Sequence, residues 1–324
     1  MQSTTELADV VKYRFDATIQ ASDGEAGRLA AVIVDAGKRC VLAVGVKVGF
    51  LVGATYYVPV ENVLGGKEDQ LSLAIPLDEI KQSPRAVPSG AALTTGTVIT
   101  SGGKSLGKLA QLTATTDEQA VQTIVLDRGV HGEALISASQ VTGVSTKQIQ
   151  IELSGAAADK LTPFRRDSDL YDEVYHTLFD YGPLRIDLAG MNIRVVDGAV
   201  WLFGHVSSDL NQRLASDLLQ GITGVASIHN QLVTDTDLAA QVSRALARDP
   251  RTAGEMIGVY PMLGEVRLRG SVRTAEARAA AGEIAQATPG VKSVANDLRV
   301  DPNVRVVPVM AGITNEEDMV PGGA

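Results

Sequence analysis

Cysteine and tryptophan occur once each and histidine four times in 324 residues, and aromatics make up only 4% of the chain. Each shortage excludes something. A single thiol, Cys40, forms no internal disulfide, so the fold must be held by its cores, and its place in an apolar run suits a reducing compartment. His131, His176, His205 and His229 stand singly with no His-Glu-x-x-His pattern, so neither a metal nor a cofactor is expected. Positive charge is also short: 29 Lys and Arg against 38 Asp and Glu give a formal net charge of −9 and a pI near 5.0. No general basic field exists to hold a phosphate backbone, and nucleic acid is not an expected partner. Long apolar runs are missing too. The most apolar window, Val41 to Ala54, is interrupted by Lys47 and dense in Val and Gly, which reads as strand, turn and strand rather than a membrane span. The N-terminus has neither the positive start nor the apolar core of a secretory signal. These features predict a cytoplasmic protein that meets a membrane, if it does, as a peripheral protein at the inner face.

Repetition is what the chain does have. The stretch Asp197-Gly198-Ala199-Val200-Trp201-Leu202-Phe203-Gly204-His205-Val206 returns 66 residues later as Leu263-Gly264-Glu265-Val266-Arg267-Leu268-Arg269-Gly270-Ser271-Val272. Gly224-Val225, Ile228, Asn230, Leu232 and Asp235 return with the same offset as Gly290-Val291, Val294, Asn296, Leu298 and Asp301. An unbroken offset over two sets of landmarks marks a duplicated supersecondary unit. Each copy reads helix, hairpin, helix, strand. In the first, a helix from Asp172 to Asp180, with Tyr171, Tyr175, Leu178 and Phe179 at helical spacing, precedes strands Met191–Val196 and Ala199–Val206 joined at Asp197-Gly198. Ser207-Ser208-Asp209 caps the next helix, and Ala226–Val233 is the third strand.

The first half is β-rich and is also written twice. Gly27-Arg28-Leu29 pairs with Gly107-Lys108-Leu109 at an offset of 80, and Leu71-Ser72-Leu73 pairs with Ile149-Gln150-Ile151 at 78. Short β-branched runs separated by Gly and Asp turns predict two small barrels. The intervening Ser83–Ser89, with two prolines, is the linker.

These residues carry two resemblances. The turn Asp23-Gly24-Glu25-Ala26-Gly27-Arg28-Leu29, the hairpin with Asp35 at its tip, the strand Val58-Pro59-Val60-Glu61-Asn62-Val63 and the closing Leu73 to Pro84 resemble the PRC-barrel family. The second copy keeps Gly107-Lys108-Leu109 and Leu161-Thr162-Pro163 but has Leu135-Ile136-Ser137 where that family has a Val-Pro-Leu type strand. The Gly-x-Val-x-Leu-x-Gly strand and the Gly-Val…Val…Asn-x-Leu ending of the second half are similar to the BON domain. That likeness implies a non-catalytic module associated with phospholipid or membrane surfaces. The fold class is therefore multidomain: two small all-β PRC-like barrels, then two α+β BON domains, each a three-stranded mixed sheet with two helices on one face. The expected division is a leader over 1–12, barrels over 13–84 and 90–163, BON-like domains over 170–235 and 236–301, and a flexible tail over 302–324.

No catalytic residue is assigned. Ser101-Gly102-Gly103-Lys104-Ser105 has the Gly-Lys-Ser of a phosphate loop but Val98 where that loop needs glycine, so it reads as a hairpin turn. The informative residues come from comparing the BON-like copies. Alternate residues of a strand face opposite ways, so Val200, Leu202 and Val206 point to the helices, as do Val266, Leu268 and Val272. On the other face, Trp201, Phe203 and His205 stand where the second copy has Arg267, Arg269 and Ser271, with Arg273 close by. Helices cover one side of such a sheet, which predicts a solvent-facing aromatic stripe as a contact surface, unless a neighbouring module of the chain covers it. The expected function is a non-catalytic adaptor or scaffold that binds a phospholipid surface or a membrane-associated protein assembly through Trp201 and Phe203. The alternatives are self-assembly into homo-oligomers through the BON faces and an accessory role in a photosynthetic or other bioenergetic membrane complex.

Overall fold

A computed structural model of the chain describes residues 9–49, 53–67, 69–153 and 161–303. These fall into two compact units. The first holds the residues up to Thr177 with Ile193–Trp201 and Leu218–His229, and the second holds Leu178–Asn192, Leu202–Asp217 and the residues from Asn230 onward.

The first half is all-β. Strands β1 (Val10–Arg14), β2 (Thr18–Ala21), β3 (Gly24–Val34), β4 (Val41–Val48), β5 (Ala54–Pro59), β6 (Val63–Lys67) and β7 (Gln70–Leu73) are followed by the short helix α1 (Leu77–Gln82). The second repeat supplies β8 (Ala91–Leu93), β9 (Val98–Ser101), β10 (Lys104–Thr115), β11 (Val121–Asp127), β12 (Glu133–Ser137), β13 (Val141–Val144) and β14 (Gln148–Ile151). The sheets run β5-β4-β3-β2-β7-β6 and β12-β11-β10-β9-β14-β13. Ser101-Gly102-Gly103-Lys104 is the turn between β9 and β10, with both glycines at positive φ, as a hairpin turn requires.

Each repeat lends its first strand to the other. β1 pairs with β10, Tyr13 opposite Leu112, and β8 pairs with β3, Leu93 opposite Val32. Leu93 and Leu112 each lie 80 residues beyond Tyr13 and Val32, so the exchange is reciprocal. The pseudo-twofold axis passes where Cys40 bridges Ala120: Val41 donates to the Gln119 carbonyl (2.9 Å) and Val121 to the Arg39 carbonyl (3.0 Å). One apolar core serves both sheets, holding Ile19, Leu29, Val44 and Leu71 of the first repeat with Ile99, Leu109, Ile124 and Ile149 of the second. The leader predicted over 1–12 is corrected by this pairing. Residues 1–8 lie outside the described residues, but Val10 to Lys12 are strand, with Val11 and Lys12 buried, because β10 satisfies their backbone groups.

The glycines of the Gly-x-Leu motifs have a steric cause. A Cβ on Gly27 would stand 2.1 Å from the Lys47 carbonyl oxygen, and one on Gly107 2.1 Å from that of Asp127, so each strand approaches its neighbour more closely than a side chain permits.

The bridge at the axis yields a first prediction. Cys40 and Ala120 form a non-hydrogen-bonded antiparallel pair, whose Cα atoms lie ~4.5 Å apart, inside the range a disulfide spans. Ala120→Cys should therefore close a bond with Cys40 on mild oxidation, read as loss of both free thiols, and should raise stability by roughly 3–5 kcal/mol because it closes a long loop. Two thiols that remain free in the folded variant would refute the exchanged topology.

The second half follows with α2 (Asp167–Asp180), α3 (Gly182–Arg185), β15 (Met191–Val196), β16 (Ala199–Val206), α4 (Asp209–Leu219), β17 (Ser227–Thr234), α5 (Asp235–Arg248), β18 (Met256–Met262), β19 (Glu265–Val272), α6 (Ala275–Gln286), β20 (Ser293–Asn296) and β21 (Arg299–Val300). The expected turn at Asp197-Gly198 has both residues at positive φ. The first copy's sheet runs β15-β16-β17. In the second copy, β18 and β19 are antiparallel while β20 and β21 run parallel to β19. Leu238, Val242 and Leu246 of α5 and Ala277, Ala281 and Ala285 of α6 share a core with Val266, Leu268 and Val272, so both helices cover that face of the sheet.

Two motif residues hold each copy together in the same way. Gly204 and Gly270 face the carbonyls of Gly190 and Met256, where a Cβ would come within 2.2 and 2.3 Å. The asparagine of Asn-x-Leu ties the third strand to a helix: the Nδ2 of Asn230 and of Asn296 donates to the Gln212 and Arg278 carbonyls, both at 2.7 Å. In α2 the buried stripe is Leu170, Val174 and Leu178, while Tyr171, Tyr175 and Phe179 lie on the more exposed side. The tail from residue 304, expected to be flexible, lies outside the described residues.

Candidate functional site

The predicted interaction residues do not form one exposed stripe. Trp201 is only 7% exposed and His205 6%, whereas Phe203 between them is half-buried. The expectation that Trp201 and His205 face solvent is thus corrected: parts of the same chain cover them, the alternative left open by the sequence. In the first compact unit, the Trp201 indole stacks on the His229 imidazole with centroids 3.9 Å apart and planes at 14°, and Ser227 Oγ meets His229 Nε2 at 3.1 Å. In the second unit, His205 Nε2 lies 2.6 Å from the Gly290 carbonyl oxygen, and the imidazole packs so closely on Gly264 that a Cβ there would be 2.9 Å from it. The second BON-like copy therefore closes over His205.

The ring of Trp201 borders a cleft of about 700 Å³ inside the first unit. Leu135 and Ile136 of β12, Leu153 and Leu161 form its apolar wall, and Ala199, Ala226 and Thr115 lie where a larger side chain would fill it. Beside it sits a buried charge cluster. The Lys12 Nζ lies 2.6 Å from Asp167 Oδ2 and 2.9 Å from Asp197 Oδ1. Thr123 Oγ1 donates to Asp197 Oδ2, the Asp197 backbone N–H donates to Asp167 Oδ1 at 2.9 Å, and Gln111 Nε2 donates to Asp197 Oδ1 at 3.4 Å. Burial alone would push the Lys12 ammonium down, but Asp197 and then Asp167 outweigh it and hold it above the ordinary lysine value. Burial pushes the Asp167 carboxyl up, and Lys12 offsets that only in part. One ammonium serves two carboxylates, and neighbouring hydroxyl and amide donors supply the remaining stabilisation. The sequence held one signal of this cluster, a lysine inside the apolar run Val10-Val11-Lys12-Tyr13.

A cluster of exposed apolar side chains lies on one strand of the second copy. Met256, Tyr260 and Met262 of β18 are 51%, 56% and 68% exposed. Their cross-strand partners on β19 are Ser271, Arg267 and Glu265, so they share the uncovered face with Arg267 and Arg269, and β21 adds Arg299 opposite Ser271. The Arg269 guanidinium lies over the Tyr260 ring at 5.7 Å, and Arg267 pairs with Asp297 at 3.3 Å. Arg273, expected beside them, is turned to Glu255 at 2.9 Å. The signal was the alternation Met256, Gly258, Tyr260, Met262 on the edge strand, whereas the comparison of copies considered only the central one. Among the described residues no group of acidic, histidine and cysteine side chains could hold a metal ion, and no helix is long and apolar enough to cross a membrane.

Helix, hairpin, helix and strand repeated at 66 residues, with the glycine and asparagine in matching structural roles, define a tandem pair of α+β modules. The BON domain family is matched over residues 167–236 and again over 234–302, so the C-terminal half carries tandem BON domains behind an all-β N-terminal half. The chain is 26% identical over 157 residues to the osmotically-inducible protein Y of Escherichia coli (strain K12), across 44% of this chain and 77% of that protein. Among solved structures, the C-terminal domain of CdsD, the structural protein of the type III secretion system of Chlamydia trachomatis, aligns at 15% identity over 43% of this chain and 68% of its own, with a TM-score of 0.36. A second CdsD structure aligns at 13% identity over 48% of this chain and 100% of its own, with a TM-score of 0.22.

Proposed function

We propose that this protein is a non-catalytic scaffold that docks on an anionic membrane surface through the uncovered sheet face of its second BON domain, with two PRC-type barrels as its other half. The observation that carries the reading is the juxtaposition of Met256, Tyr260 and Met262 with Arg267, Arg269 and Arg299 on one exposed face. Flexible apolar side chains enter the headgroup region, and arginines meet lipid phosphates. Glu265 and Asp297 leave that face with a surplus of one positive charge, so apolar contact contributes most of the affinity and charge a smaller part. The BON matches and the relative among osmotically induced proteins agree with a role without catalysis. The PRC-type reading is supported by the repeated Gly-x-Leu motif, whose glycines in β3 and β10 stand where a Cβ would meet the neighbouring strand's carbonyl oxygen. Trp201, an expected anchor for docking and self-assembly alike, is buried, so the reading passes to the exposed residues of the second copy.

Flotation with phosphatidylglycerol-containing vesicles tests this. The parent should float, less so at high salt. Tyr260→Asp with Met262→Asp should weaken capture at least about tenfold, since each apolar side chain loses on the order of 1–2 kcal/mol of burial, and Arg267→Gln with Arg269→Gln should weaken it by no more than about 1 kcal/mol per charge. A parent that stays with the unbound fraction refutes membrane docking.

A further inference from the structure

We infer that the cleft beside Trp201 is a binding site for an uncharged, largely hydrocarbon small molecule. The site is separate from the exposed face of the second BON domain and does not depend on it.

The cleft lies between two sheet surfaces of one compact unit: β10, β11 and β12 of the second barrel on one side, and β16 and β17 of the first BON domain on the other. Facing sheets normally interdigitate their side chains to crystal-like density. Here small residues oppose one another, with Thr113, Thr115 and Ser137 on the barrel side and Ala199, Ala226 and Ser227 on the other, and about 700 Å³ is left open. That volume falls within the ~300–1,000 Å³ of small-molecule sites, which are lined mainly by apolar groups with a few polar ones.

The lining also sets the ligand's charge. Leu135, Ile136, Leu153, Leu161 and Trp201 are apolar, no lysine or arginine is among the described residues around the cleft, and its one imidazole, His229, is stacked on Trp201 and hydrogen-bonded to Ser227. Its one carboxylate, Asp197, is already engaged by Lys12 and Thr123. Three of the four threonine hydroxyls around the cleft already make hydrogen bonds: Thr123 donates to Asp197, Thr113 accepts from Gln111, and Thr115 accepts from the Ala120 N–H. An anion entering here would lose its hydration without gaining a counter-charge, whereas an uncharged apolar molecule gains burial.

Trp201 is the only tryptophan and lies in the wall, so the protein reports its own occupancy. The full chain is titrated with N-phenylnaphthylamine, which is uncharged, and in parallel with anilinonaphthalene sulfonate, a closely similar ring system bearing one negative charge. The uncharged dye should bind saturably, with energy transfer from Trp201, and at least roughly tenfold more tightly than the sulfonate because of the unpaired charge. Ala199→Phe, which places a ring in the slot, should abolish the transfer. Gln122→Lys at the exposed rim, which leaves packing intact, should narrow the preference between dyes. Absence of saturable transfer in the parent, equal affinity for both dyes, or full binding by an Ala199→Phe protein that still unfolds cooperatively would each overturn the assignment. If Ala199→Phe does not fold, Gln122→Lys decides alone, and an unchanged dye preference counts against the site. Vesicle flotation reads the other face, so the two proposals fail separately.

Discussion

Replacing Lys12 by methionine is expected to destabilise the first compact unit by about 3–5 kcal/mol, the cost of leaving buried carboxylates without their counter-charge. Methionine keeps the length and apolar stem of the side chain, so the loss isolates the ammonium. Asp167 and Asp197, both within 2.9 Å of it, would remain with one N–H, one hydroxyl and one amide donor between them. Adding Asp167→Asn and Asp197→Asn to Lys12→Met should restore a large part of the stability, because amides carry no charge to desolvate. Urea unfolding followed by Trp201 fluorescence measures both, and a loss below about 1 kcal/mol for Lys12→Met would mean that the pair is effectively solvated.

The pH dependence follows from the same cluster. Lys12 is held above its unfolded value, so its contribution is complete below about pH 10.4 and disappears as pH rises through the higher native value. Asp167 is also raised, so the native state binds its proton more tightly and stability falls as pH climbs above about 4. In the parent the ammonium partly offsets that acid-side slope. Lys12→Met should lose the alkaline transition and steepen the acid-side slope, becoming more stable as the solution is acidified from neutrality.

The duplicated units were readable because they are local. The strand–turn–strand through Asp197-Gly198, the glycines at 204 and 270 and the asparagines at 230 and 296 act on groups within their own module, and a fixed offset exposes them. The strand exchange was not readable. Val11 pairs with Ala114, about 100 residues away, and nothing in the five residues of β1 names the sheet that receives them. Lys12 fell in the leader expected over 1–12, whereas its strand pairs with β10 and its ammonium meets Asp167 and Asp197. The offset of 66 revealed that the outer faces of the two copies differ, but no pattern within a strand states what lies against it.

That last point carries the second large prediction, because Trp201 and Arg267 occupy equivalent places in the two copies. Trp201→Ala should destabilise the first unit by about 3–5 kcal/mol, the range for removing a large buried aromatic. The ring is 7% exposed and stacks on His229 at 3.9 Å, so its loss enlarges a cleft that neighbouring strands already leave partly open. Arg267→Ala should change stability by no more than about 0.5 kcal/mol, since its exposed pair with Asp297 is worth little in water. A double-mutant cycle with His229→Ala should give a coupling of roughly 0.5–1.5 kcal/mol for the stacked rings. Because the substitution removes the fluorophore, these variants are followed by circular dichroism. Equal, small losses at both positions would place Trp201 in solvent and return it to the role of a surface anchor. A large loss at Trp201 alone would mean that one copy of the duplicated strand gave its outer face to the chain's own interior, while the other kept its outer face exposed.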